Sequence, residues 1–161
     1  MIKITKSTDN HQESLNQIFE ESIPYFLKVE GREPLKPLED IREQIGNLPA
    51  SVNITCFTIF FNNEIAGYTW ILEESTEFYY VLHFYVKDSL KRQNIGRSTI
   101  ELLDNLYRQK GINTCQLLVS GSNYLGLKFW TEIGFNKIVY VEASDENSPT
   151  STVEIELERT F

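Results

Sequence analysis

Long apolar runs are missing from this sequence. No stretch approaches the ~20 consecutive apolar residues that a membrane-spanning helix needs, and the opening "MIKITKSTDN" has no apolar segment of the kind found in secretion signals. Both absences point to a cytoplasmic protein that makes no use of a membrane. Basic side chains are scarce too: 15 Lys and Arg against 23 Asp and Glu give a net charge of −8. The cations are scattered except around residues 87–97, so no broad positive face exists to neutralise a phosphate backbone, and nucleic acid is not an expected partner. Cysteine appears only as Cys56 and Cys115, each inside a strand-like apolar run and without a CxxC partner or neighbouring metal ligands. Two reduced core thiols are the favoured reading, a disulfide the other, and no metal site is expected. Neither GxxxxGK[ST] nor GxGxxG occurs, which removes the commonest phosphate-binding loops, and no internal repeat or low-complexity tract is found.

What is present suits one folded domain over residues 1–161: 41% apolar and 24% charged residues in a chain long enough to bury most of its surface in one core. "MIKITK" alternates as a short strand, and "TDN" then offers caps for a helix running to about Phe26, with Pro24 as its expected kink or end. "PLEDIREQIGNLP" predicts a short helix opened by Pro37 and closed at Gly46. From Ile54 the period changes to two. "ITCFTIFF", the turn "NNE" and "IAGYTWILEE" predict a hairpin, and Tyr79–Val86 ("YYVLHFYV") a third, very aromatic strand. There follow a helix over 98–110, the strand "TCQLLVS", a helix over 124–133, the strand "KIVYVEA", the polar loop "SDENSPTS" and a last alternating strand "TVEIELE".

The junction between the aromatic strand and the next helix is unusual in so acidic a chain, because "KRQNIGRS" places Lys91, Arg92 and Arg97 around Gly96. A helix start has unpaired N–H groups and partial positive charge, and a glycine lets backbone approach an anion closely. Asn94 tolerates unusual backbone angles, and Ser98 adds a hydroxyl. The stretch is read as a phosphate-holding turn.

"VKDSLKRQNIGRSTIELL" resembles the acetyl-CoA-binding segment of the GNAT superfamily of N-acetyltransferases, of the form Arg/Gln-x-x-Gly-x-Gly/Ala after a strand ending in Val. Lys91 falls at the Arg/Gln place, Asn94 at the first Gly and Gly96 at the second. "NYLGLKFWTEIGF" is similar to the family's Asn-x-x-Ala-x-x-Phe-Tyr-x-x-x-Gly-Phe, matched by Asn123, Gly126, Phe129, Gly134 and Phe135, with Trp130 where Tyr is usual. The order of elements agrees over nearly the whole chain. The resemblance implies an α/β (α+β) fold: a mixed, mostly antiparallel sheet of about seven strands with about four helices, splayed between the fourth and fifth strands.

It also implies acetyl-CoA as cofactor. Its pantetheine arm would pair with backbone groups of Phe84, Tyr85 and Val86, and its pyrophosphate would rest on the turn formed by Lys91, Arg92, Gln93, Asn94, Ile95, Gly96, Arg97 and Ser98, with Asn123 and Trp130 as further contacts. The implied reaction is direct attack of a primary amine, from a small molecule or a peptide, on the thioester. It needs the amine neutral, a donor for the developing oxyanion and a proton for the leaving thiolate. For the base, His83 lies in the splayed strand, although strict alternation would set it on the face opposite Leu82 and Phe84; Glu73, Glu74 and Glu77 could act through water. For the acid, the indole of Trp130 can hydrogen-bond but cannot deliver a proton, which leaves Tyr124 first and Tyr85 second. The acceptor pocket would be lined from residues 20–37 and the last loop, where Glu20, Glu21, Tyr25, Phe26, Glu30, Glu39, Asp40, Asp145 and Glu146 could draw in a cation. The alternative function is a non-catalytic acyl-CoA-binding or regulatory module, motivated by Trp130 and Asn94. A homodimer paired through "TVEIELE" is a further possibility.

Overall fold

The computed structural model describes residues 1–73, 76–143 and 153–161. Seven strands form one sheet: β1 (Ile2–Lys6), β2 (Asn53–Phe61), β3 (Glu64–Glu73), β4 (Tyr79–Val86), β5 (Thr114–Ser120), β6 (Lys137–Ala143) and β7 (Val153–Thr160). Four helices accompany them: α1 (Gln12–Glu30), α2 (Ile41–Gln44), α3 (Ile95–Arg108) and α4 (Tyr124–Glu132). The sheet order is β1-β2-β3-β4-β5-β7-β6, and every neighbouring pair is antiparallel except β4 and β5. The expected mixed, mostly antiparallel fold is what forms, with one difference at its end: the last strand inserts between β5 and β6, so the free edge is β6.

Local chemistry accounts for where the elements stop. Asn62 and Asn63 both take φ > 0 (50° and 71°), the conformation of a two-residue hairpin turn, and join β2 to β3. The first helix runs past Pro24 to Glu30 before Gly31 ends it at φ 69°. Pro24 removes one backbone bond, but Tyr25 and Phe26 pack on the cluster of Leu15, Ile18, Tyr68, Trp70 and Tyr85, and that packing holds the last turns. The helix expected from Pro37 to Gly46 contracts to one turn. Leu38 has φ 63°, which keeps the chain out of helix at that point, Asp40 caps through Oδ1 to the Arg42 N–H, and the Arg42 guanidinium donates to the carbonyls of Pro49 and Val52, tying the short turn to the loop that follows. The next helix begins at Ile95, three residues earlier than its polarity pattern predicts.

The core lies on both faces of the sheet. Under α1 it contains Leu15, Ile18, Tyr68, Trp70 and Tyr85; under α3 and α4 it contains Ile71, Tyr79, Val81, Ile100, Leu103, Tyr107 and Phe135. Cys56 and Cys115 are both buried free thiols, and burial drives the Cys56 thiol up to about 11. No helix among the described residues is long and apolar enough to cross a membrane, and they contain no metal-binding cluster.

Candidate active site

The fourth strand is regular only as far as Val81. Trp70 pairs with His83 but Ile71 with Val81, so Leu82 is an extra residue, a β-bulge. The ladder from β4 to β5 ends at the same place, with Val81 opposite Leu117 as its last pair. Beyond it the two strands part, and β5 continues only with β7. The Lys87 N–H donates to Ala66 O on β3, so alternation turns the main-chain groups of Tyr85 and His83 towards β3 and those of Phe84 and Val86 into the gap. The strand can come this close to β3 because Gly67 has no side chain: a Cβ there would lie 2.1 Å from the Tyr85 carbonyl oxygen. A glycine inside a strand pattern is a known sign of close backbone approach, and Gly67 was the sequence signal for this part of the site.

The bulge also changes which way His83 faces. Instead of alternating, it shares the α1 face with Leu82, stacked on Tyr68 at 4.6 Å and tilted on Phe26 at 5.0 Å between ring centroids. Its Nε2 is buried without a hydrogen-bond partner among the described residues. Burial, reinforced by the charge of Arg32, lowers its pKa to about 3, so the ring is neutral at physiological pH.

After β4, a 3-10 turn at Asp88–Leu90 leads into α3. Arg92 and Asn94 both adopt left-handed angles, φ 64° and 60°, which curl the main chain so that successive N–H groups face one side. The Asn94 side chain at its start makes no capping bond to the helix. The Ser98 N–H already donates to Asn94 O, which leaves the N–H groups of Ile95, Gly96 and Arg97 at the helix start outside its internal bonding. These donors, beside Lys91, Arg92 and Arg97, fit a pyrophosphate. Gly96 also serves the packing of the site: a Cβ at this position would lie 2.9 Å from Cζ of Phe129, so the absent side chain makes room for an aromatic ring that packs against Phe84. Lys91 pairs with Asp88 and lies over the rings of Tyr25 and Tyr85, at 4.9 and 5.1 Å.

Asn123 stands at the start of α4 and closes the mouth of the gap. Its Oδ1 accepts from the Gly126 N–H (2.8 Å) and from the Tyr25 hydroxyl (2.7 Å), while Nδ2 donates to Oε1 of Glu30 (2.8 Å). The Ser120 N–H donates to Oε2 of Glu30 at 3.2 Å. The end of α1 is thereby tied across the gap to the end of β5. Burial raises the pKa of both Glu30 and Tyr25, against the opposing hydrogen bonds to Asn123. Trp130 is buried among Phe84, Phe129 and Phe135, with centroids at 5.5, 4.7 and 5.3 Å, whereas Tyr124 is 71% exposed.

Four other acidic candidates are spent elsewhere. Glu73 binds Lys110 and the Tyr107 hydroxyl, Glu39 pairs with Lys36, and Asp40 caps α2. Glu21 accepts from Tyr85 and from the Asp88 N–H, and Glu20 and Glu77 are exposed. Glu74, Asp145 and Glu146 lie outside the described residues.

The family profile for the acetyltransferase (GNAT) family matches residues 15–135, which include the parted strands, the turn and α4. The chain belongs to the GNAT acetyltransferase family. Membership makes it an acyltransferase that uses acetyl-CoA as its donor. Solved structures agree in fold. A PaiA N-acetyltransferase from Thermoplasma acidophilum, in complex with coenzyme A, is 20% identical with a TM-score of 0.68, over 100% of this chain and 99% of that one. A GNAT acetyltransferase from Elizabethkingia anophelis with acetyl-CoA bound is 18% identical at 0.64, over 99% and 98%. An acetyltransferase from Salmonella typhimurium that modifies the N-terminal serine of a ribosomal subunit protein is 14% identical at 0.76, over 99% and 95%. Among curated proteins none matches the sequence.

Proposed function

We propose that this GNAT acetyltransferase is a single domain over residues 1–161 that acetylates a primary amine of a small molecule or a peptide, in the cytoplasm and without nucleic acid or membrane. The observation that carries the reading is the parting of β4 from β5 at the Leu82 bulge, which turns main-chain groups of Phe84 and Val86 into a gap leading to the uncapped start of α3. Bound acetyl-CoA supplies the acyl thioester. Phe84 and Val86 offer backbone bonds to amide groups laid along the gap, with Tyr85 between them bonded to β3. The N–H groups of Ile95, Gly96 and Arg97, with the side chains of Lys91, Arg92, Gln93, Arg97 and Ser98 around them, receive the anionic end.

An alkyl ammonium has a pKa of ~10, so the chain must take a proton from the incoming amine. Glu30 suits that task better than His83. Burial lowers the pKa of His83 to about 3 and seals its Nε2, so it is too weak a base to take the proton, while burial makes Glu30 more proton-seeking at the mouth where a cation would enter. The leaving thiolate can receive a proton from Tyr124 or Tyr85 but not from Trp130, whose indole N–H is limited to hydrogen bonding. An amine acceptor is supported by two of the similar structures, an N-acetyltransferase and an enzyme that modifies an N-terminal serine.

One observation favours the second reading, a module that binds acyl-CoA without turning it over: Trp130 is locked in an aromatic cluster at the place of the family's tyrosine. Thiol release from acetyl-CoA against polyamines, aminoglycosides, amino acids and short peptides, beside calorimetric titration of CoA, separates the two. Amine-dependent release is expected. Tight CoA binding with no release for any amine would establish the binding module instead, and no CoA binding would overturn the placement of the site.

A further inference from the structure

Lys91 belongs to the cationic turn, yet its ammonium does not reach over the N–H groups that start α3. It lies instead over two tyrosine rings, Tyr25 of α1 at 4.9 Å and Tyr85 of β4 at 5.1 Å from the centroids, and pairs with Asp88. Those distances fall within the ~6 Å over which a ring face attracts a cation. The two rings stand 6.4 Å apart and are tilted by 46°, so they form two walls of a cage with the carboxylate of Asp88 as a third.

Each wall is fixed from outside. The Tyr85 hydroxyl donates to Oε1 of Glu21 at 3.1 Å, and the same oxygen accepts from the Asp88 N–H at 2.8 Å, so one carboxylate of α1 holds both a ring and the acid beside it. The Tyr25 hydroxyl is held by Asn123 at 2.7 Å. Asp88 and Glu21 also act through space on Tyr85, and Glu30 and Asp88 on Tyr25. The cage is therefore negative as well as aromatic, which is the chemistry that recognises an organic ammonium. Lys91 contributes little there as a strut, because its side chain is 41% exposed and that of Asp88 63%, a setting in which an ion pair adds little stability. A pyrophosphate on the turn offers the same ammonium a negative charge on each phosphate, a stronger attraction than one exposed carboxylate.

We propose that the cage of Tyr25, Tyr85 and Asp88 binds a second positive charge of the acceptor, and that Lys91 occupies it until it is drawn off to the phosphates of the cofactor. The inference rests on the acetyltransferase reading and adds the acceptor's class: an amine with a further cationic group, held in the cage while the first lies at the gap. Cage and gap are neighbours, since Tyr25 is bonded to Asn123 at the mouth and Tyr85 lies between Phe84 and Val86. Donor and acceptor sites are thereby coupled through one side chain.

Titration of the full chain with tetramethylammonium at constant ionic strength, read by ligand-observed NMR, tests the cage without turnover. Lys91→Met removes the ammonium and nearly keeps the side chain's length. It is expected to bind this probe about tenfold tighter than the unmodified protein, because an internal competitor lowers apparent affinity by the fraction of time the site is open. Saturating CoA should bring the unmodified protein close to the same affinity and leave that of Lys91→Met nearly unchanged. Adding Asp88→Asn to Lys91→Met should cancel the gain, as should adding Tyr25→Leu, with far-UV circular dichroism to check folding. In the thiol-release assay the better of 1,4-diaminobutane and 1,8-diaminooctane is expected to show a KM roughly tenfold below that of butylamine, and Asp88→Asn should remove most of the difference. Equal affinities for tetramethylammonium in Lys91→Met and the unmodified protein would overturn the proposal. So would an affinity of the unmodified protein that CoA leaves unchanged, a gain that survives Asp88→Asn, or no preference for either diamine over butylamine. The cage and the reaction fail separately: a protein that shows the binding pattern but acetylates no amine keeps the cation site and loses the transferase, and one that acetylates butylamine without the pattern does the reverse.

Discussion

His83 illustrates how far one buried side chain can be moved from its ordinary chemistry. Its pKa falls to about 3, whereas in the unfolded chain it sits near the usual ~6.5. The folded state therefore binds fewer protons than the unfolded state between those values. Stability from this residue is fully present above ~6.5 and drains away as pH falls towards 3, by up to about 1.4 kcal/mol per pH unit. Chemical denaturation at pH 7 and pH 4.5 should show the loss, and His83→Phe should shrink the difference between the two pH values. An unchanged difference would mean that some other group controls the acid sensitivity. Gly96 makes the second prediction at this scale. A methyl group here needs Phe129 to move by several tenths of an ångström, so Gly96→Ala should cost roughly 1–3 kcal/mol by overpacking, and Gly96→Val more. CoA affinity should fall with it, because Phe84 and Phe129 share that wall of the gap. Full stability in urea together with weakened CoA binding would instead return Gly96 to a purely phosphate-facing role.

At the scale of elements, the site rests on a strand irregularity supported by a glycine. Gly67→Val would drive a branched side chain into the Tyr85 carbonyl, forcing β4 away from β3 at the stretch that borders the gap. We expect a folded but destabilised protein in which CoA no longer raises the melting temperature; an undiminished shift would show that this stretch of β4 does not set the gap. The sequence made this strand legible as a strand, and its motif made the following turn legible as an anion site. The bulge at Leu82 was not legible, because a bulge is a property of two paired strands and no pattern within "YYVLHFYV" marks which residue is extra. That one residue reverses the alternation on which the facing of His83 was predicted. Pro24 and the stretch from Pro37 to Gly46 failed for the complementary reason: local propensity spoke clearly, and packing of Tyr25 and Phe26 overrode it in one case, while in the other the left-handed Leu38 and the Asp40 cap put the helix start at Ile41. Glu30 was visible only as one of several acidic residues near the first loop. Its partners Ser120 and Asn123 are some 90 residues away in sequence, a distance over which no spacing argument reaches.

Across the whole molecule, the two halves of the sheet meet where β4 and β5 share only three ladder pairs, so something other than the ladder must hold the second half in place. Asp104 on α3 is well placed to do so. It is buried, accepts from the Tyr79 hydroxyl on β4 at 2.7 Å and pairs with Arg159 on β7, while the same guanidinium donates to Ile133 O at the end of α4. One carboxylate thus joins α3 to β4 and β7, and through Arg159 to α4, at the end of the sheet where β4 and β5 are still paired. Removing one partner leaves the other charge buried without compensation, so Asp104→Ala should cost about 3–5 kcal/mol in urea unfolding. Replacing both, as Asp104→Leu with Arg159→Met, removes the desolvated charges together and should recover most of that loss. The double variant should also bind CoA nearly as the unmodified protein does, because neither residue faces the gap. If the double variant were as unstable as Asp104→Ala, the hydroxyl of Tyr79 and the carbonyl of Ile133 would be the groups whose bonding matters. The junction would then depend on hydrogen bonds, with the ion pair contributing little.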